Sequence, residues 1–188
     1  MAIQVITDAT LLAHSTALHS VYTAAFCAPP WNEDEGRADA FIARLTTDAR
    51  RPGFTAALDL HQQNLVGFAT AWTTPNPFPE EGCYPQAAAG LGPRRTEQWL
   101  CGALEINELA IHPGARGTGT AIGLIDAVTT DPPDGRAWLL TSLRSAPAVA
   151  FYRRQGWTQA THPAPDGHGI AVFLAPRHPA RTLAAQPL

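Results

Sequence analysis

The feature that most constrains how this chain can fold is one continuous segment, residues 104–128. It begins with an apolar, β-branched run from 104 to 111 that has the length of a buried strand. Pro113 and Gly114 end that run, because proline cannot donate to a strand ladder and glycine permits a turn. Apolar residues then recur at helical spacing over 122–128. The segment therefore predicts a strand, a loop and a helix in immediate succession.

The loop of this segment predicts an anion-binding site. Its glycines leave the backbone open to a close approach, and the helix that follows presents outward-pointing N–H groups and the positive end of its dipole. A phosphate would be stabilised there, so we expect the chain to hold a phosphorylated cofactor. The residues expected to contribute are Arg116, Gly117, Thr118, Gly119, Thr120 and Ala121.

Composition limits the classes of function. The chain has 188 residues, 45% of them hydrophobic, which predicts one domain over residues 1–175 and a frayed tail over 176–188. The net charge of −3 argues against a nucleic-acid partner. No stretch resembles a membrane span or a signal peptide, so we expect a cytoplasmic protein without a membrane partner.

The basic residues, cysteines and histidines argue against lysine-dependent catalysis, disulfides and metal sites. All 13 residues counted as lysine or arginine are arginine, so a lysine Schiff base and a Walker-type phosphate lysine are excluded. The three cysteines are widely spaced and lack a CxxC pair, so we expect reduced thiols. The histidines lack the spacing of metal ligands, and we expect no metal.

Periodicity and turn residues predict a mixed α/β layer whose parallel strands are joined by right-handed crossovers. The predicted strands are 3–6, 54–60, 65–73, 104–111, 137–143 and 170–174, and the predicted helices are 8–26, 35–49, 122–128 and 146–155. Residues 74–95 are rich in proline and glycine and have no periodicity, which predicts an irregular excursion. It could be a substrate lid or a contact in a homodimer, and the sequence does not decide between them.

The segment 104–128 and the residues that follow it resemble the GNAT superfamily of N-acetyltransferases. That family binds acetyl-CoA through arginine or glutamine, two residues, glycine, one residue, then glycine or alanine, and Arg116, Gly119 and Ala121 match this pattern. Residues 151–157 match the family's next helix, which carries Phe-Tyr and ends in glycine and an aromatic residue. The resemblance implies a GNAT-like α/β fold: a mixed, strongly twisted β-sheet of about six to seven strands flanked by about four helices.

The resemblance also implies how acetyl-CoA is held as co-substrate. The pyrophosphate would lie on the loop N–H groups, and the pantetheine arm would pair with the backbone of Leu109, Ala110 and Ile111 like an added strand. An N–H near Ala110 or Ile111 would face the thioester carbonyl and stabilise the charge that develops on its oxygen. Ser145 stands where many members carry an asparagine that steadies the cofactor arm, and its hydroxyl is shorter and lacks an amide.

Acyl transfer to an amine needs a base and an acid. An aliphatic ammonium has a pKa of about 10 and must lose a proton before it attacks. Glu105 and Glu108 are spaced to lie on opposite faces of the predicted strand, and the resemblance favours Glu105 as the base. Tyr152 holds the family position of the acid that protonates the departing thiolate. The alternatives are strand carboxylates paired with an arginine, and a tyrosine in the core.

The acceptor is expected to be a small-molecule or peptide amine. Acidic residues follow Trp31 and recur in the excursion, and Trp31, Glu33 and Trp72 could belong to an acidic, aromatic-walled pocket for a cation. The alternative is a solvated acidic run at a helix N-terminus, where carboxylates are favoured.

The sequence therefore predicts an acetyl-CoA-dependent N-acetyltransferase that works by direct transfer in a ternary complex. Two alternatives stay open. One is an acyl-CoA-binding or regulatory domain on the same scaffold without turnover, and the other is an N-acyltransferase that uses a longer acyl-CoA.

Overall fold

The computed structural model describes residues 2–161 and 169–184. Its strands are β1 (Ala2–Ile6), β2 (Thr55–His61), β3 (Asn64–Thr73), β4 (Leu104–Ile111), β5 (Ala137–Ser142), β6 (Thr158–Gln159) and β7 (Ile170–Leu174). Within the described residues they form one seven-stranded sheet in the order β1-β2-β3-β4-β5-β7-β6. The pairs β1–β2, β2–β3, β5–β7 and β6–β7 are antiparallel. The predicted mixed sheet of six to seven strands is confirmed, and only the two-residue β6 was not predicted.

The helices of the described ranges are α1 (Ser15–Phe26), α2 (Gly36–Asp48), α3 (Tyr84–Leu91), α4 (Pro93–Arg95), α5 (Thr120–Val128), α6 (Ala146–Arg154) and α7 (Arg181–Ala184). About four were predicted, and the additional ones come from the excursion and the tail. The predicted helix over 8–26 begins instead with a 3-10 turn, Ala9–His14. Asp8 caps that turn, since its carboxylate accepts the N–H of Thr10 at 2.9 Å.

The prediction of an irregular excursion over 74–95 is wrong for its second half, where α3 and α4 lie. Pro85 occupies the first turn of α3, where the missing N–H costs no hydrogen bond, and a run of strongly helix-forming alanines follows it. The helix buries Ala87 and Leu91, and it ends at Gly92, whose φ is +76°. The alanine run is the sequence signal for this helix.

The chain divides into two compact units, the first comprising residues 1–72 and 106–130 and the second residues 73–105 and 131–188. In the first unit, Phe41 of α2 stacks on Phe68 of β3, with ring centroids 5.3 Å apart, and on Tyr22 of α1 at 5.0 Å. The β2–β3 hairpin turns through Gln62 and Gln63, whose positive φ values of +50° and +68° suit a two-residue turn. Helix α5 packs against β1 and β2.

The second unit is organised around Trp138 of β5. This side chain is fully buried, and its indole N–H donates to the hydroxyl of Thr74 at 2.8 Å. The rings of Phe78 and Tyr84 lie 6.0 and 6.4 Å from the Trp138 ring. A π-helical turn, Thr96–Leu100, leads from α4 towards β4.

The single domain over 1–175 and the frayed tail over 176–188 stay predictions. The tail includes α7 and the buried side chain of His178, whose Nε2 lies 3.0 Å from the Trp99 carbonyl oxygen. Residues 185–188 lie outside the described residues.

Three further observations concern membrane spans, metal-binding groups and cysteines. Among the helices of the described residues, none is long and apolar enough to cross a membrane. No group of three or more His, Cys, Asp or Glu side chains in the same residues could hold a metal ion. All three cysteines are free thiols.

Candidate active site

The strand, loop and helix predicted from 104–128 are present, and a 3-10 turn, Pro113–Ala115, starts the loop. His112 closes that turn, because its ring Nδ1 accepts the N–H of Gly114 at 3.2 Å. The backbone N–H of His112 donates to the carbonyl of Val66 on β3 at 2.9 Å. The loop therefore starts from a point fixed to the neighbouring strand.

The loop presents its backbone N–H groups outward. Gly117 and Gly119 have φ values of +80° and +91°, a conformation that favours glycine. In the described part of the chain, no group accepts a hydrogen bond from the N–H of residues 117–122, and the N-cap Gly119 has no side chain that could. A Cβ at Gly117 would meet no atom within 4 Å. An anion fits this place, since it would supply the missing acceptors.

The side chains of the loop turn back onto the protein. The hydroxyl of Thr118 donates to the carbonyl of Ala115 at 2.7 Å and lies 3.0 Å from the hydroxyl of Thr120. The guanidinium of Arg116 points to the carbonyl of Ala25 near the end of α1, 3.5 Å away. The side chains of Arg116, Thr118 and Thr120 are therefore directed to groups of the protein, and the role of these residues in holding an anion stays a prediction.

Strand β4 approaches β3 and α5 closely at Gly67. A Cβ at Gly67 would lie 2.9 Å from Cγ2 of Thr120, 3.0 Å from Cδ1 of Ile111 and 3.1 Å from the carbonyl oxygen of Ala110, so a side chain there would force these neighbours to move. The N–H of His112 points to β3, and N–H directions alternate along a strand. The N–H of Ile111 therefore points away from β3, and of the two candidate thioester donors it is the one directed to the other edge of β4.

Glu108 is a largely buried carboxylate of the first unit, and other charged side chains surround it. Its carboxylate pairs with the guanidinium of Arg44 on α2, which also lies 3.4 Å from Asp48. The side chain of Glu108 is only 14% exposed. Burial raises the pKa of Glu108 to about 7, Arg44 opposes this shift, and the carboxylates of Glu33 and Asp48 add to it. A carboxylate with that pKa can take up and release a proton near neutral pH.

Glu33, one of the predicted acceptor residues, is fixed by α1. The hydroxyl of Tyr22 donates to Oε2 of Glu33 at 2.9 Å. Burial, followed by the negative charges of Glu108 and Glu33, raises the pKa of Tyr22, so this hydroxyl stays a donor. No periodic pattern indicates this pair, because the turn after α1 brings the two residues together.

Glu105 lies in the second unit and has a different environment. It is 3% exposed, and the hydroxyl of Tyr84 lies 3.0 and 2.8 Å from its two carboxylate oxygens. Tyr84 is the first residue of α3, which the sequence did not predict. Tyr84 is therefore a contact of the candidate base Glu105 that sequence reasoning missed.

Tyr152 and Ser145 both belong to the region of α6. Tyr152 is 7% exposed, and its ring packs against those of Trp157 and Phe173, with centroids 6.0 Å away in each case. Ser145 is buried at the N-cap of α6, and its side chain caps no N–H of that described helix. The acid and cofactor roles of these two residues stay predictions.

A family model matches most of the chain. The model of the acetyltransferase (GNAT) family matches residues 18–157, a range that contains β4, the glycine loop and Tyr152. The chain belongs to the GNAT acetyltransferase family. It is accordingly an acyltransferase of a family that uses acetyl-CoA. No curated protein matches the chain.

Solved GNAT structures have a similar fold over almost the whole chain. An acetyltransferase from Thermus thermophilus has a TM-score of 0.62 at 14% identity, covering 93% of this chain and 96% of that one. A Corynebacterium glutamicum structure described as histone acetyltransferase HPA2 and related acetyltransferase has a TM-score of 0.60 at 18% identity, covering 93% of this chain and 95% of that one. The PaiA N-acetyltransferase from Thermoplasma acidophilum, in complex with coenzyme A, has a TM-score of 0.56 at 12% identity, covering 93% of this chain and 99% of that one. The predicted GNAT-like fold class is confirmed.

The aromatic residues predicted for the acceptor site of this GNAT protein lie in the first unit. Trp31 packs edge-on against Phe26, with centroids 5.7 Å apart. Trp72 is 3% exposed, and the guanidinium of Arg51 lies 4.7 Å from the centre of its ring. The ring of Trp72 is thus already in contact with a cationic side chain of the protein, that of Arg51. The assignment of Trp31, Glu33 and Trp72 to the acceptor site stays a prediction.

Proposed function

We propose that the protein moves an acetyl group from acetyl-CoA to a primary amine by direct attack in a ternary complex. The observation that carries this proposal is the row of N–H groups over 117–122, for which the described residues offer no acceptor. Such a row at a helix N-terminus fits a pyrophosphate. Acetyl-CoA supplies the activated acetyl thioester, and the residues of the chain position it and move the protons.

The backbone of β4 would hold the reacting end. Residues 109–111 would pair with the amide-bearing arm as an added strand. The N–H of Ile111, which points away from β3, would donate to the thioester oxygen. A fixed donor at that place stabilises the negative charge that develops on the oxygen during attack.

Glu108 is the base that we favour. The acceptor enters as an ammonium with a pKa of about 10, and its proton must leave before the nitrogen can bond to the acetyl carbon. Glu108, with a pKa raised to about 7, is suited to take that proton near neutral pH. Glu105, which the resemblance favoured, is the alternative base.

Tyr152 would act as the acid. As the nitrogen bonds to the acetyl carbon, the bond between that carbon and sulfur breaks, and Tyr152 gives its phenolic proton to the sulfur. A tyrosine hydroxyl, with an ordinary pKa of about 10, is protonated at neutral pH and can make this transfer. The resemblance of residues 151–157 to the family's helix supports this role, and the match to the family model extends over them.

Calorimetric titration with CoA and acetyl-CoA tests the cofactor site. Gly117→Leu places a side chain on the open face of the loop, and the affinity for CoA should fall about tenfold or more. Gly82→Leu is the matched control, because Gly82 also has a positive φ and no atom within 4 Å of its Cβ position, and it lies outside the loop. Equal losses in the two variants, or no CoA binding by the unaltered chain, would contradict the proposal.

Turnover is tested by the release of free CoA from acetyl-CoA with a panel of amines. Acetyl-CoA consumption with at least one small amine is expected. If the chain binds CoA but no amine causes free CoA to be released from acetyl-CoA, the protein is a binding domain without turnover. If free CoA is released faster from longer acyl-CoAs than from acetyl-CoA, the protein is an N-acyltransferase that uses a longer acyl group.

A further inference from the structure

Helix α2 and the turn after it carry a charge row, which consists of Arg44, Asp48 and Arg51. Asp48 follows Arg44 by four positions and precedes Arg51 by three, so the three side chains can meet on one side of the helix. Its Oδ2 lies 3.4 Å from Nε of Arg44, and its Oδ1 lies 2.8 Å from Nε of Arg51. Each oxygen of this buried carboxylate therefore has a guanidinium of its own.

The guanidinium of Arg44 is fixed from two further directions. It lies 5.4 Å from the centre of the ring of Phe41, which is a core residue on the same helix. Its Nη2 donates to Oε1 of Glu108 on β4. Arg44 is thus divided between two carboxylates, with Nε towards Asp48 and Nη2 on Glu108.

Arg51 holds the other end of the charge row. Its guanidinium lies 4.7 Å from the centre of the ring of Trp72, a buried residue of β3. A cation over an aromatic ring is stabilised by the electrons of its face. Asp48 is therefore held beside Arg44 by a contact that does not involve Glu108.

The titratable and charged groups that face Glu108 come from α1, from the segment between α1 and α2, and from α2. They are Tyr22, Glu33, Arg44 and Asp48. With the guanidinium beyond Asp48 included, two cations meet three carboxylates in this described part of the first unit. Protonation of Glu108 leaves two carboxylates for two cations, so the arrangement favours the uptake of one proton.

We propose that Arg44 is a positioning residue for proton transfer at Glu108 and that Asp48 limits its effect, because the two carboxylates share one guanidinium. The proposal rests on the acetyltransferase function proposed above, in which Glu108 is the base. Oε1 of Glu108 accepts the N–H of Arg44, so the proton that leaves the ammonium nitrogen goes to Oε2. Glu108 is then neutral, and Arg44 keeps Asp48 as its counter-ion.

The protein without ligand tests this through the pH at which half of Glu108 is protonated, which we call the midpoint. Carbon NMR on a chain isotope-labelled in its glutamate carboxyl carbons measures the midpoint, and the signal missing in Glu108→Gln identifies the residue. Arg44→Gln removes the cation, and the midpoint should rise from about 7 by about 1 pH unit. Asp48→Asn leaves Arg44 to Glu108 alone, and the midpoint should fall by about 0.5–1 pH unit. A merely structural role would weaken the fold in both variants without moving the midpoint in opposite directions.

Two further variants serve as controls. Arg44→Lys keeps a positive charge and should restore most of the midpoint, although it lacks the planar fork of the guanidinium. Arg50→Gln removes an exposed arginine beside the charge row that is not one of its members, and it should leave the midpoint within about 0.3 pH unit. If Arg44→Gln does not fold, Asp48→Asn decides alone, because a midpoint that stays or rises in it overturns the proposal.

A shift in the same direction in Arg44→Gln and Asp48→Asn, or an equal shift in Arg50→Gln, would also overturn it. The pH at which the rate of acetyl transfer rises should follow the midpoints. If the chain turns over amines and that pH does not follow them, the positioning role fails and the acetyltransferase function stands. If the midpoints move as expected and no amine is turned over, the sharing of Arg44 is supported and the acetyltransferase function fails.

Discussion

Two glutamates three residues apart on β4 meet different surroundings, and the surroundings suit them to different tasks. Glu108 pairs with Arg44 near other carboxylates, and burial raises its pKa to about 7. Glu105 is buried beside the hydroxyl of Tyr84. The first can exchange a proton near neutral pH, whereas the second is held by a hydroxyl that fixes the orientation of its carboxylate.

The rate of acetyl transfer should rise with pH through about 7, because Glu108 acts as a base only after it has lost its own proton. Glu108→Gln should lower kcat by about 10²–10⁴-fold and remove this rise from the pH–rate profile. Glu105→Gln is the paired variant and should keep the rise. If the rise survives in Glu108→Gln and disappears in Glu105→Gln, the base is Glu105.

At the scale of elements, the position of the glycine loop between β4 and α5 depends on how closely β3, β4 and α5 approach one another. Gly67 of β3 allows this approach, because a Cβ there would press on Thr120 at the start of α5 and on the backbone of Ala110. The close spacing of β3, β4 and α5 therefore depends on the absence of a side chain at position 67.

Gly67→Ala should lower the free energy of unfolding by about 1–3 kcal/mol, because the added methyl forces neighbouring groups to move. CoA affinity should fall as well, since Thr120 opens α5. Denaturant unfolding and calorimetry measure the two effects. Thr120→Ser removes the nearest atom, Cγ2, and keeps the hydroxyl, so the double variant should recover part of the loss. Strictly additive effects would show that crowding against Thr120 is not the cause.

At the scale of the whole molecule, local patterns predicted the sheet and missed the contacts between distant residues. The bounds of β4 and β7 were predicted to the residue, because an apolar run between turn residues is a local signal. The excursion was misassigned because its prolines and glycines outweighed the alanine run of α3. The partnership of Arg44 with Glu108 spans 64 positions and exists only after packing, so no local pattern could reveal it.

Binding of CoA should stabilise the whole chain, because only the folded state presents the N–H groups of the loop together. At 100 times the Kd the gain is about 2.7 kcal/mol, or about 5–10 °C in Tm for a chain of this size. Scanning calorimetry with CoA measures it. Pantetheine, which lacks the pyrophosphate, should give a smaller shift at the same concentration, and equal shifts would exclude the loop as a pyrophosphate site.

The ion pairs that hold Glu108 and Asp48 are made by guanidinium groups, those of Arg44 and Arg51. Every basic residue other than histidine in the chain is likewise an arginine. A guanidinium stays protonated at any pH at which an enzyme works, so it has no free electron pair with which to attack a thioester. An acyltransferase of this composition has no lysine side chain that its own acyl donor could modify, and its ion pairs with Glu108 and Asp48 are made instead by groups that do not attack a thioester.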